Sequence, residues 1–488
     1  MSIGVEKIKI PLKKKELTLA NIEPYLEYVL STFQKNKTKI RKMYNIYLGG
    51  HDVLNKQRPY SSDKINHQVV TPHLSAMVDF KCGYAVGNPK EFALNDGIEN
   101  DEMKYLNRYW EDVGGRTVDV EITKWIYSSG LGYYFIQPKE IIEDIENKSP
   151  FELFLMPADT CTKVYSSYIG EEALFDVIFT EITKINDGKK ETYIVMSIYL
   201  PTMYAEYKCG DFVNRFKLIK SEPRNLYRLL PLVEKYAKSD KVGLVENGLS
   251  VQNAIDNLMS STLDNIDDVV NLIYVFYNVS LGTNDQEKLD TFASMKENGV
   301  VELLPSNPQF PADLKTLTSA LNLNEIDIFT DRLIETLYNC NGVPLQTASV
   351  GSGNNAAAES GAGWKNAYTI MLNEVNSMRK GDRDLLEHIL FICKNTKDCP
   401  IRTLNSNDIE PKYNINRDEN LLTKAQAWDY FREDVPPALR AKWVGITNEP
   451  DAAGKAIEEY KEKLLTDEVM SKMATQNQTN TQPTNIQE

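Results

Sequence analysis

The sequence predicts an α+β fold, mainly helical, and three observations carry that prediction. Two stretches repeat apolar residues every three or four positions: Ile22, Tyr25, Leu26, Val29, Leu30 and Phe33 in one, and Val251, Ile255, Leu258, Leu263, Ile266, Val270, Ile273 and Phe276 in the other. Between them, from about Tyr133 to Leu230, the period changes to two. Beyond residue 320 the helical period returns. Strands gathered in one block between helical blocks describe an antiparallel sheet on a helical base.

Taken in order, residues 1–19 are polar and partly basic and read as a flexible arm. A helix is predicted from Asn21 to Tyr47, with Asn21 as N-cap, Pro24 tolerated in the first turn and Gly49-Gly50 as the stop. A second follows Pro72 and closes at Gly87-Asn88-Pro89. Two more are expected over 100–110 and 118–128, and Gly130-Leu131-Gly132 leads into the aromatic strand of residues 133–138. Further strands run to about Leu230, with hairpin residues at Asp187-Gly188 and Gly210-Asp211.

The long amphipathic helix spans Ser250–Asn278, roughly 43 Å at ~1.5 Å per residue. So long a helix needs an equally long partner, because tertiary packing supplies most helix stability. Its opposite face carries Asp256, Asp264, Asp267 and Asp268, expected as a solvated face or as the lining of an acidic lumen. Residues 279–319 read as a strand–turn–strand excursion, followed by a second helix to about 342, the loop VGSGNN and a third helix to Ile392. That third helix is expected to break at Lys380-Gly381-Asp382, since glycine weakens a helix by about 1 kcal/mol relative to alanine. One or two strands follow Cys399, then helices at 423–433 and 453–465 and a low-complexity tail read as disordered.

Composition and motifs exclude several classes. A net charge of −14 argues against a protein that grips duplex DNA with a basic face. The six cysteines form no CxxC pair and read as reduced thiols. No run reaches the ~18–20 apolar residues of a membrane span, and no secretory signal is visible. VGSGNNAAAES satisfies neither the phosphate-loop nor the dinucleotide pattern. The histidines lack zinc-site spacing, so neither metal nor cofactor is expected. The chain therefore reads as a non-enzyme. The alternative is a multidomain enzyme of nucleic-acid processing, a metal-dependent nuclease or transferase. It would need a carboxylate cluster, for which Asp264, Asp267 and Asp268 are the residues to test.

Three sets of residues resemble the portal proteins of tailed bacteriophages, of the long type found in siphophages. They are Tyr47-Leu-Gly-Gly50-His51-Asp-Val-Leu54; Met77-Val78-Asp79 with Gly83-Tyr84-Ala-Val-Gly87-Asn-Pro89; and Leu230-Pro231-Leu232-Val233-Glu234 with Gly243 and Glu246. The resemblance implies a portal-like fold: an α+β wing over 20–245, stem helices at 246–278 and 320–343, and a small clip at 279–319. A tunnel loop at 344–358, a long kinked helix with return strands of the wing at 359–415, a helical crown at 416–472 and a disordered tail at 473–488 complete it. It further implies a ring of about twelve subunits at one capsid vertex of the virion, assembled in the host cytoplasm. Double-stranded DNA would pass through it with weak contact during packaging and ejection. The implied partners are the terminase large subunit, the head–tail adaptor, the scaffold and the major capsid protein, with no membrane. Val350, Gly351, Ser352, Gly353, Asn354 and Asn355 would face DNA, and Asn284, Asp285, Glu287 and Lys288 would form the clip tip that docks terminase and adaptor.

Overall fold

A computed structural model describes residues 4–463 apart from 58–65, 96–99, 141–143, 187–188, 211–215, 225–228, 271–272, 280–283, 291–304, 318–322, 346–353, 416–427, 431–434, 441–453 and the single positions 306, 308, 312, 438 and 455. Its helices are α1 (Leu19–Ile22), α2 (Leu26–Tyr47), α3 (His73–Val86), α4 (Asp101–Asp112), α5 (Gly115–Ser129), α6 (Leu244–Val270), α7 (Leu323–Asn341) and α8 (Asn354–Asn395). The strands are β1 (Ile8–Ile10), β2 (Glu91–Leu94), β3 (Gly132–Pro138), β4 (Phe151–Met156), β5 (Cys161–Ser166), β6 (Ala173–Asn186), β7 (Lys189–Tyr199), β8 (Met203–Cys209), β9 (Phe216–Pro223), β10 (Leu232–Lys235), β11 (Ile273–Tyr277), β12 (Asp313–Leu317) and β13 (Ile409–Lys412).

The period-two block folds into a sheet of order β1-β5-β6-β7-β8-β9, antiparallel except for the β1–β5 pair. The stripe shared by α1 and α2 closes one face of it. Ile22, Leu26, Val29 and Phe33 pack with Val164, Phe175, Val177 and Met196, and Phe33 stacks on Phe179 at 3.9 Å between ring centres. A second sheet, β10-β3-β4, lies within the larger core, where α3, α4, α5, the start of α6 and the length of α8 converge. α5 ends at Gly130, whose φ of +97° lies in the left-handed region. A Cβ there would also sit 2.0 Å from the Lys241 carbonyl oxygen, so the residue is fixed by the close approach of the chain entering α6.

Four expectations change. Part of the N-terminal arm is structured: Ile8 and Ile10 are buried in the sheet, and Asn36 of α2 brackets the Glu6 backbone, accepting from its N–H and donating to its carbonyl (3.1 and 2.9 Å). The long helix begins at Leu244 rather than Ser250 and is helical only to Val270. Ile273–Tyr277 is instead strand β11, paired antiparallel with β12 from Ile273↔Leu317 to Tyr277↔Asp313. An unbroken run of β-branched and aromatic residues, Ile-Tyr-Val-Phe-Tyr, suits a pleated surface better than a helix. Third, α8 runs through Gly381 without a break. The glycine serves contact rather than bending: a Cβ at 381 would lie 2.8 Å from the Glu234 carbonyl oxygen and 3.2 Å from the Lys235 Cα. Fourth, the excursion holds a short helical segment at 285–290 besides its strands. The expected helix at 453–465 is helical at its described residues, 454 and 456–463, whereas the one expected at 423–433 lies largely, and the 473–488 tail wholly, outside the described residues.

Candidate functional site

Helices α6 and α7, expected as the stem, pack against each other, and Gly248 marks where they meet α3. A Cβ on it would lie 2.7 Å from Leu74 Cδ2 and 2.8 Å from Leu337 Cδ1. Asn247 Nδ2 donates to Asn341 Oδ1 at 3.0 Å across the same junction. Farther along, the pair leaves apolar residues partly exposed: Leu263 and Ile266 on α6, and Leu323, Ile328 and Phe329 on α7, the last two each 55 % exposed.

The acidic stripe of α6 does not face solvent or a lumen over most of its length, which corrects the expected open acidic face. Gln252, Asp256, Ser260 and Asp264 recur every four residues, so they share one face. All four are buried, because an extended strap from the α2–α3 connection lies along that face. Alternate backbone N–H groups of the strap meet successive rungs: Thr71 donates to Asp256 Oδ1 (3.0 Å), Val69 to Ser260 Oγ (3.0 Å) and His67 to Asp264 Oδ1 (2.7 Å). Asp256 also accepts from Thr71 Oγ1 at 2.6 Å and from Gln252 Nε2 at 2.9 Å, and its other oxygen meets His51 Nδ1. Asp267, half-exposed, pairs with His67 Nε2 at 2.6 Å. The Asp268 side chain is outside the described residues, although its backbone is helical. A buried carboxylate needs such donors, and a backbone strap supplies them.

Helix α8 is fixed by buried ion pairs that nothing in the spacing of the sequence announced. Lys81 Nζ lies 3.0 Å from Glu374 Oε2, which also accepts from Tyr127 OH at 3.0 Å. Burial lowers the Lys81 pKa, partly offset by Glu374. Eight residues on, Asp382 receives Lys90 (2.8 Å) and Lys235 (2.9 Å) on one oxygen and the Tyr413 hydroxyl on the other. Lys90 also meets Asp119 at 3.1 Å, and Tyr134 donates to Asp119. Two lysines and two aspartates balance in charge. Burial pushes the Asp382 carboxyl up, but Lys235 and Lys90 outweigh it and hold its pKa at about 2. Burial likewise works against charged Lys90, yet Asp119 and Asp382 raise its pKa above the ordinary lysine value. The signal that could have found these residues is a lysine inside an otherwise apolar run, as in LSAMVDFKCGYAV and LPLVEK.

The expected clip tip is on the surface. Asn284 caps the 285–290 segment by accepting from the Glu287 N–H at 2.9 Å, and Lys288 pairs with Asp285 at 3.0 Å, all four residues exposed. The segment is held at its base by Asn278, which donates to the Asn307 and Phe310 carbonyls at 3.0 and 2.7 Å. Of the expected tunnel loop, Val350, Gly351, Ser352 and Gly353 lie outside the described residues, and Asn354 and Asn355 open α8.

Among the described residues no group of three or more His, Cys, Asp or Glu side chains is placed to hold a metal ion, and no helix is long and apolar enough to cross a membrane. The chain is similar to two solved structures, the neck of an empty GTA particle computed with C6 symmetry and the virion of a native gene transfer agent (GTA) particle. Each is 10% identical with a TM-score of 0.43, over 83% of this chain and 93% of that one. No curated protein sequence matches it significantly. The model of the family described as phage portal protein, SPP1 Gp6-like, matches residues 26–469, nearly the whole chain, and the protein belongs to that family.

Proposed function

We propose that this portal subunit closes into a ring of about twelve copies, through which double-stranded DNA passes during genome packaging and ejection. A portal is a structural component of the particle and not an enzyme. The family match carries the reading, and the partly exposed apolar residues of α6 and α7 are in keeping with it: among the described residues Leu263 and Ile266 are more than a third exposed and Ile328 and Phe329 more than half. A head-to-tail contact repeated around a closed ring would cover them.

In this reading the loop 350–355 lines the narrowest part of the channel. Its residues are small and uncharged (Val, Gly, Ser, Gly, Asn, Asn), which suits a contact that must let phosphates slide. The exposed tip at Asn284, Asp285, Glu287 and Lys288 is the docking site for the terminase large subunit and then the head–tail adaptor. The wing faces the scaffold and the major capsid protein, and assembly takes place in the host cytoplasm. The buried Asp256 and Asp264 belong to the strap and are not assigned to the lumen. Native mass spectrometry and particle images of the purified protein are expected to show closed rings of about a dozen subunits. Only monomers and dimers under all conditions would overturn the reading.

A further inference from the structure

Helix α6 has different neighbours on its two flanks. Gly248 meets Leu337 of α7. Asn253 and Ser261 each lie ~140° round the helix from Gly248, one to either side, at ~100° per residue. Both meet the turn that follows α2: Asn253 Nδ2 donates to Asp52 Oδ2 at 3.3 Å, and Lys56 Nζ to Ser261 Oγ at 3.2 Å. That turn and α7 are therefore on opposite sides of α6.

The two outer surfaces are opposite in charge, and both show apolar side chains. Glu325, Ile328, Asp331 and Glu335 recur every three or four residues, so they share one face of α7, and all four are exposed. The other face, with Leu333, Ile334 and Leu337, packs into the core. With Asp327, α7 carries four acids against one cation, Arg332. α2 has the reverse balance, five cations from Lys35 to Lys42 against one acid, Glu27. Lys35 and Lys42 lie about two turns apart on one face, both exposed, and Lys42 pairs with Asp52 at 2.9 Å, which ties the turn to the helix. That turn leaves Leu48 66% and Leu54 42% exposed.

We infer that these two surfaces are the two sides of the subunit contact: the outward face of α7 on one copy seats on the end of α2 and the following turn of the next. Ile328 and Phe329 pack against Leu48 and Leu54, and Asp331 and Glu335 face Lys35 and Lys42. The inference rests on the ring proposed above and assigns its contacting faces. Charge disfavours the symmetric alternatives, since joining α7 to α7 sets acids against acids and joining α2 to α2 sets lysines against lysines. A contact between unlike surfaces on opposite sides of α6 leaves one of each open on the outermost copies, so it repeats until a ring closes. Apolar burial supplies the attraction, and the ion pairs, each worth little at a surface, set partner and register.

The test is made on the full-length protein carrying Cys340→Ser, which removes its exposed thiol. Leu54→Cys and Ile328→Cys are introduced together and the assembled protein is treated with a short bis-maleimide. The expected result is a denaturing-gel ladder that climbs from dimer towards the whole ring, with monomer alone when either cysteine is introduced singly. Separately, Asp331→Lys with Glu335→Lys should move size-exclusion profiles from rings to monomers with an unchanged far-ultraviolet spectrum. Rings that assemble normally yet give no ladder would overturn the inference and leave the ring reading standing. Dimers cross-linked through one introduced cysteine alone, or rings of normal size from the charge-reversed variant, would overturn it too. A protein without either pair of changes that stays monomeric in all conditions would overturn both readings.

Discussion

Asp382 and His388 lie less than two turns apart on α8, and each is tuned by burial against its partners. Asp382 has an ordinary value of 3.8 and is held at about 2 by two lysines that outweigh its burial. The His388 imidazole lies between the Asp384 and Leu230 carbonyls, at 2.6 and 2.7 Å, and burial lowers its pKa from 6.5 to about 4. Both folded values fall below the ordinary ones, so the unfolded chain takes up the protons first. Each group's contribution to stability is therefore complete above its ordinary pKa and is lost as pH falls towards its folded one. Acid unfolding should lose stability in two windows, from pH 6.5 to about 4 for His388 and from 3.8 to about 2 for Asp382. Within the first, the slope expected from one proton is about 1.4 kcal/mol per pH unit. Urea unfolding between pH 7 and 4 tests this. His388→Gln should flatten the curve there, and an unchanged slope would show that another group titrates.

At the scale of elements, the crossing of α8 over β10 sets a sign that helix propensity alone gets wrong. Alanine at an exposed helical glycine is worth about 1 kcal/mol of added stability. At Gly381 the new methyl would meet the Glu234 carbonyl oxygen, which is backbone and cannot swing aside. Gly381→Ala is expected to destabilise the fold by about 1–3 kcal/mol, the usual range for an overpacked contact. A lowered midpoint in thermal or urea unfolding checks it, and a raised one would mean that β10 can give way. The same contact explains why α8 continues where the sequence predicts a break. Glycine inside a helical pattern signals either bending or close approach, and only the neighbouring strand tells them apart. The end of α6 was misread for a related reason. Ile273 and Phe276 continue the helical stripe, and the pairing with β12 that makes them a strand comes from residues some forty positions away in the sequence.

For the molecule as a whole, much of the plan was legible because each block keeps its own period. The α2 stripe, the period-two sheet and the helices α6 and α7 follow from local patterning, and the portal resemblance from Gly83-Tyr84, Gly87 and Pro89 in and after α3. The parts that hold these blocks together were not legible. Lys81 with Glu374, and Lys90 with Asp382, join residues nearly three hundred positions apart, and no spacing rule relates them. The aspartates of α6 share one helix, but the burial of Asp256 and Asp264 depends on a strap whose own sequence has no regular pattern. The partly exposed apolar residues of α6 and α7 carry the remaining prediction. Phe329→Asp should leave the subunit folded, with an unchanged far-ultraviolet spectrum, and shift size-exclusion profiles from rings to monomers. Rings of normal size from this variant would remove Phe329 from the subunit interface.

The strap on α6 behaves as a vernier. Two residues of extended chain advance ~6.8 Å, whereas four residues of helix advance ~6.0 Å. Each rung therefore slips by roughly 0.8 Å, and three rungs, at Thr71, Val69 and His67, use up most of the tolerance of a hydrogen bond. All three rungs stay within that tolerance, at 3.0, 3.0 and 2.7 Å, and His67 adds a side-chain contact to Asp267, three residues on from Asp264. Such a scale reads only one alignment. Adding or deleting one residue between His67 and Thr71 would present side chains where N–H groups belong, so the strap fixes the α2–α3 connection at one position along α6.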